Sequence, residues 1–144
     1  MQEVTGDLWT YPADFRVITT NGDVRHDGAC VMGRGCAKQA VKKWPNLPYE
    51  LGMMIKINGN HVFYLDDYRL FTFPVKHHWN EPADLKLIIR SVLDFRVLLH
   101  GVDATYVMPR PGCGNGQRTW EEVKPLLQDL PDNVHVIDFP KRAS

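Results

Sequence analysis

The chain has too few cysteines for a disulfide framework, no excess of either charge, and no long apolar run. Its three cysteines, Cys30, Cys36 and Cys113, are odd in number and form no CxxC pair, which suits reduced thiols in the cytoplasm. Lysine and arginine together number 17, as do aspartate and glutamate, so no global positive field holds a polyanion nonspecifically. Any nucleic-acid contact must then be local. No window approaches the length needed to span a bilayer, and the opening "MQEVTGDLW" has neither a basic start nor an apolar stretch, so no membrane partner is expected. Internal repeats and low-complexity segments are absent as well.

What remains is the composition of an ordinary globular domain, 44% hydrophobic and 24% charged over 144 residues. At that length folding buries roughly 70% of the unfolded surface, so one core is enough, and a single monomeric domain over 1–144 is expected. The hydrophobic pattern alternates strands with helices. "FRVITT" (15–20) reads as a strand closed by the turn Asn21-Gly22-Asp23. Ala37, Ala40, Val41 and Trp44 mark a helix stopped by Pro45. "HVFYL" (61–65) and "RLFTF" (69–73) suggest a hairpin around "DDY", and 53–57 reads as a further strand. The spacing of Leu85, Ile88, Ile89, Val92, Phe95 and Leu99 predicts a helix over 82–100. A strand over 104–108 follows, then a helix capped by Thr119 and Glu122 and distorted by Pro125, then a strand over 134–139. This order implies a layered α/β domain whose sheet is covered on both faces.

Two glycine-bearing loops, each between a strand and a helix, stand out. They are "GACVMGRGCA" (28–37) and "PGCGNGQ" (111–117), the second with Gly112, Gly114 and Gly116 at alternate positions. Successive backbone N–H groups in such turns form an anion-binding concavity, and two facing loops suit a diphosphate. Neither matches the P-loop or the dinucleotide GxGxxG spacing, so a kinase, a GTPase and an NAD oxidoreductase are disfavoured. His26, Cys30, Cys36, His77, His78 and Cys113 match no zinc spacing, and neither a metal nor a cofactor is expected.

"GDLW" (6–9), "ITTNGD" (18–23), "GACVMGRGCA", "FPVKHHW" (73–79) and "PRPGCGNGQRTWEEVKPLL" together resemble the macro domain superfamily. The likeness is to the branch that includes terminal ADP-ribose protein glycohydrolases, macro domains of chromatin remodellers, and antitoxins that remove ADP-ribose from DNA. It implies a three-layer α/β/α fold with a mixed, largely parallel sheet, and ADP-ribose as ligand. By matching motif, Asp7 and Leu8 would lie beside adenine, with Phe139 packed against it, and Asn21 would reach the distal ribose. Val31, Met32, Gly33 and Gly35 would line one side of the diphosphate and distal ribose, and Gly112, Cys113, Gly114, Asn115 and Gly116 the other.

Lys76 stands where related hydrolases carry a lysine in "FPTK". A desolvated lysine amine becomes a nucleophile or proton carrier, so Lys76 would attack or assist at the anomeric carbon. His77 or His78 would protonate the leaving group. Protein-directed members of this branch carry an aspartate at the position aligned with Gly116, whereas DNA-directed members tend to carry Asn-Gly, as here. Where those continue Gly-Leu-Asp-Trp, this chain has Gln117-Arg118-Thr119-Trp120.

Three functions stay open on these residues: hydrolysis at the distal ribose of an ADP-ribosylated protein or nucleic acid, an ADP-ribose 1''-phosphate phosphatase, and a non-catalytic ADP-ribose reader. Lys42-Lys43, or Arg110 with Arg118, could add a local nucleic-acid patch.

Overall fold

The computed structural model describes residues 1–101 and 103–140. Six strands form one sheet: β1 (Gln2–Thr5), β2 (Phe15–Asn21), β3 (Phe63–Leu65), β4 (Leu70–Lys76), β5 (Tyr106–Pro109) and β6 (Val134–Asp138). Their order is β1-β6-β5-β2-β4-β3; every neighbouring pair is parallel except β3 with β4, which forms the hairpin expected from the sequence. The edge strand β1 has no counterpart in the sequence reading, because its four residues are mostly exposed and carry no clear apolar alternation.

Side-chain alternation along the central strands feeds two cores. Phe15, Val17, Phe71, Phe73, Tyr106 and Met108 face one side, whereas Ile18, Leu70 and Val107 face the other. The first core is closed by α3 (Leu85–Leu98) and by α4 (Trp120–Val123), which tightens into a 3-10 turn over Lys124–Leu127. The second is closed by α1 (Gly35–Lys43) and α2 (Leu47–Asn58). The molecule is therefore the three-layer α/β/α sandwich with a mixed, largely parallel sheet.

The helix boundaries follow from local chemistry. α3 starts three residues after Pro82, where the Asp84 carboxylate accepts from Lys86 N at 3.0 Å. α4 carries the complete capping box of Thr119 and Glu122, and Pro125 sits where the helix narrows. The strand expected at 53–57 is instead the end of α2. "MMIKI" contains alternating apolar residues, but Leu47, Leu51 and Ile55 form a buried stripe four residues apart, and Pro48 fits a first helical turn. Gly52 lies on that buried face. A Cβ there would fall 1.9 Å from the Gly28 carbonyl oxygen, so α2 packs directly on the backbone at the start of the first glycine loop.

At the carboxyl ends of β2 and β4 the register slips: Thr20 pairs with Pro74, but Asn21 pairs with Lys76. Pro74 lies beyond the last β3 pair at Thr72, where a proline interrupts no pairing with that neighbour. The bulge sets Asn21 and Lys76 side by side at the mouth of the sheet, and bulges commonly re-aim side chains in this way.

Candidate active site

Two cavities open beyond the carboxyl ends of the parallel strands, where ligands of open α/β sheets bind. The first, of about 620 Å³, lies over the ends of β2, β4 and β5 and between the two glycine loops. The second, of about 520 Å³, lies toward β6 and the segment after β1. They meet at Gly35, Cys36, Pro109, Arg110 and Gly114, so one elongated ligand can occupy both.

Their linings differ in charge. The first carries Arg25, Arg34, Lys76 and Arg110 and no aspartate or glutamate among its described residues. The second adds Asp7 and Asp138 to Arg110 and Arg118. An anion fits the first, and a group with hydrogen-bond donors suits the carboxylate end of the second.

Lys76 is buried, with 8% of its surface exposed. Its Nζ donates to the carbonyl oxygens of Trp79 and Asn115, each at 3.2 Å, and no carboxylate neutralises it among the described residues. Burial holds its pKa below the ordinary lysine value, and the Arg34 guanidinium adds to the effect. Asn21 is held rigidly beside it: its Nδ2 donates to Val31 O at 2.9 Å and its Oδ1 accepts from Asp23 N at 3.0 Å.

The three alternating glycines of the second loop have separate reasons. Gly112 adopts φ +77°, and a Cβ there would also meet Ala83 Cβ at 2.9 Å. A Cβ on Gly116 would meet the Gly112 carbonyl oxygen at 2.5 Å. Around Gly114 there is nothing within 4 Å, and the same holds for Gly33 across the cavity. The fold thus accounts for Gly112 and Gly116, while Gly33 and Gly114 leave bare backbone facing open space.

Val31, Met32, Gly33, Gly35, Asn21, Lys76, Gly112, Gly114, Asn115 and Gly116 all line the first cavity. Asp7, Leu8, Cys113 and Phe139 line the second, with Asp7 Oδ1 bonded to Trp9 N at 2.7 Å. His77 does not join them. Its ring bonds Asp84 Oδ2 at 2.9 Å, half exposed and outside both linings, rather than facing the first cavity. His78 lies outside both linings too, its Nδ1 against Asp23 Oδ1 at 2.8 Å.

The cysteines are small packing groups. Burial pushes the Cys30 thiol up to about 12 and the Cys113 thiol up to about 11, far from a reactive thiolate at neutral pH. Among the described residues no three His, Cys, Asp or Glu side chains are grouped to hold a metal ion, and no helix is long and apolar enough to cross a membrane.

No family model matches the chain. A DNA ADP-ribosyl glycohydrolase of Mycobacterium tuberculosis is 32% identical over 97% of this chain, which spans 42% of that protein's length. The solved macrodomain of Mycobacterium tuberculosis DarG superposes with a TM-score of 0.77 at 27% identity, covering 97% of each chain. The chain has the macrodomain fold, and it is similar to the macrodomain of DarG. Thermosipho africanus DarTG, solved in complex with ADP-ribose, shares the fold with a TM-score of 0.72 at 20% identity; the match covers 99% of this chain and 42% of that one.

In this macrodomain the sequence reading missed Arg25, Arg34 and Trp79, which also line the first cavity. Arg34 lies inside the first glycine motif and Trp79 three residues past Lys76, so both were within reach of a motif-based reading; Arg25 has no local signal. Three of the basic residues considered as a nucleic-acid patch make contacts within the fold. Lys43 Nζ lies over the Trp9 ring, Arg110 reaches Glu3 and Asp138, and Arg118 Nε donates to Ala83 O.

Proposed function

We propose that this macrodomain binds ADP-ribose along the two joined cavities and hydrolyses the bond at the distal ribose, releasing ADP-ribose from DNA. The observation that carries the reading is the buried Lys76 at the end of an acid-free, cation-lined cavity that opens into a second one bearing Asp7. The names of the similar proteins supply the substrate. Adenine would take the second cavity, with its amino group donating to Asp7 and Phe139 at its edge. The diphosphate would cross at Gly33, Gly35 and Gly114, where N–H groups and the N-terminus of α1 favour an anion. The distal ribose would then rest against Asn21 and Lys76.

The lowered pKa of Lys76 raises its share of neutral amine. That amine attacks the anomeric carbon while the bond to the acceptor breaks. The amine gives up one proton and the departing ring nitrogen takes one, so this exchange needs no carboxylate. Water then releases the ribose and restores the amine.

The aspartate that protein-directed relatives carry at the Gly116 position has no room here, because any Cβ would meet the Gly112 carbonyl. This favours the DNA-directed reading over the protein-directed one. The test is a release assay by mass spectrometry on thymidine-linked ADP-ribose, glutamate-linked ADP-ribose and ADP-ribose 1''-phosphate, with wild type and Lys76→Ala in parallel. Release from the thymidine conjugate that vanishes in the variant is the expected result. Release from another substrate would reassign the reaction, and bound ADP-ribose with no release from any would make the protein a reader.

A further inference from the structure

Trp79 is an exposed tryptophan beside the buried lysine, and nothing in the chemistry above uses its ring. The side chain is 47% exposed and lines the mouth of the first cavity. Its backbone is held on both sides: Trp79 N donates to Asp23 Oδ2 at 2.7 Å, and Trp79 O accepts from Lys76 Nζ at 3.2 Å. The Arg34 guanidinium sits 5.6 Å from the ring centroid, backing the indole by a cation–π contact.

An exposed aromatic ring normally costs hydration, and one fixed at a cavity mouth by its own main chain is preorganised to receive a flat group. Its location says which part of the substrate that is. An acceptor leaves from the anomeric carbon, which must approach Lys76 Nζ to react. Lys76 Nζ touches the Trp79 carbonyl and both residues line the first cavity, so the acceptor would leave on the side where Trp79 stands. Arg25 and Arg34, both exposed, flank the same mouth and make no salt bridge among the described residues.

We infer that Trp79, backed by Arg34, is a stacking platform for the modified nucleobase, and that Arg25 and Arg34 meet the phosphates flanking it on a single DNA strand. The inference rests on the proposed removal of ADP-ribose from DNA and names the form of that DNA. A base held in a duplex cannot present its face to an indole, whereas an unpaired one can, and stacking tolerates any base. An acidic protein side chain has no π-face to offer, so the arrangement favours a nucleobase acceptor.

The experiment uses a thymidine-ADP-ribosylated single-stranded 12-mer and free ADP-ribose. Binding of both is measured in a Lys76→Ala background, with and without Trp79→Ala or Trp79→Phe; release is measured with Lys76 intact. Trp79→Ala should weaken binding of the 12-mer roughly tenfold or more, as loss of one base stack does, and raise KM for release alike. Trp79→Phe should recover most of the loss, with ADP-ribose affinity changed less than about twofold by either variant. Arg25→Ser should flatten the salt dependence of 12-mer binding by about 0.7 in log–log slope.

Equal losses for the 12-mer and for free ADP-ribose would make Trp79 part of the ADP-ribose pocket and overturn the inference. So would unchanged 12-mer binding, or the same Trp79 dependence on a glutamate-linked peptide. If wild type releases nothing while 12-mer binding still depends on Trp79, the glycohydrolase reading fails and the platform stands. If release proceeds equally well without the ring, the platform fails and the glycohydrolase stands.

Discussion

The Lys76 ammonium donates to the Asn115 carbonyl oxygen at 3.2 Å, so the strand that carries the lysine also anchors the second glycine loop. The group expected to do chemistry and the loop expected to grip the diphosphate are therefore one mechanical unit.

Lys76→Ala should lower release of ADP-ribose by at least about 10²-fold, the usual scale for removing a group that moves protons or attacks. Affinity for ADP-ribose should stay within a few-fold. Calorimetric titration beside the release assay separates the two effects, and equal loss of both would show that the lysine only holds the loop.

The same lysine predicts a pH dependence. Burial and Arg34 both lower its pKa, so the neutral amine gains population below the ordinary 10.5 and release should rise with pH along a limb under that value. Arg34→Ser removes the second cause and should move the limb to higher pH. A pH–rate profile that does not move would mean that the Arg34 charge is not felt at Lys76.

The glycines of the second loop can be separated by experiment. Gly116→Ala places a Cβ against the Gly112 backbone and should lower stability by about 1–3 kcal/mol, seen as a drop in Tm. Gly114→Val meets nothing within 4 Å of its Cβ, so Tm should hardly move, while ADP-ribose affinity falls roughly tenfold, or about 1.4 kcal/mol. A Gly114 variant that binds normally would show that the diphosphate does not pass there.

Gly52→Ala should cost about 3 kcal/mol or more, because the added methyl meets a carbonyl oxygen of the loop backbone rather than a side chain that can turn away. Chemical denaturation measures it, and a variant as stable as wild type would mean that α2 can shift off the loop freely.

His78 raises a question of sign. Its hydrogen bond to Asp23, and the charge of that carboxylate, raise its pKa above the ordinary 6.5, so the folded chain holds the proton more tightly than the unfolded chain does. The stabilisation is complete below 6.5 and is lost as pH rises through the raised value. The histidine is largely exposed, so the effect is small. The Tm difference between wild type and His78→Gln should shrink as pH rises from below 6.5 through the raised value; a constant difference would mean that the neutral ring serves as well.

Much of this arrangement was legible in the residues. Alternation and helical spacing located β2, β4, β5, β6, α1 and α3, since both periods are local. The motifs identified Asn21, Lys76 and both glycine loops as candidates for one site. The run at 53–57 was misread because its residues suit either period, and only the buried stripe from Leu47 through Ile55, packed on the Gly28 backbone, decides for a helix. His77 lies outside the cavities for a related reason. Being next to Lys76 in sequence says nothing about which way a side chain leaves the strand end, and Asp84 draws the ring outward.

The amino-acid sequence by itself determined most element types, the layered class and the loops that hold the candidate chemistry, because periodicity and backbone permissiveness are properties of neighbouring residues. The tertiary structure alone decided which glycines the packing requires and which leave bare backbone at the cavity. It also decided that the first cavity has only cations among its charged lining residues, and that Trp79 stands beside Lys76 with Arg34 behind it. Those facts depend on groups far apart in the chain, such as Arg34, Trp79 and Asn115, which meet only when the parallel strands bring their carboxyl ends together.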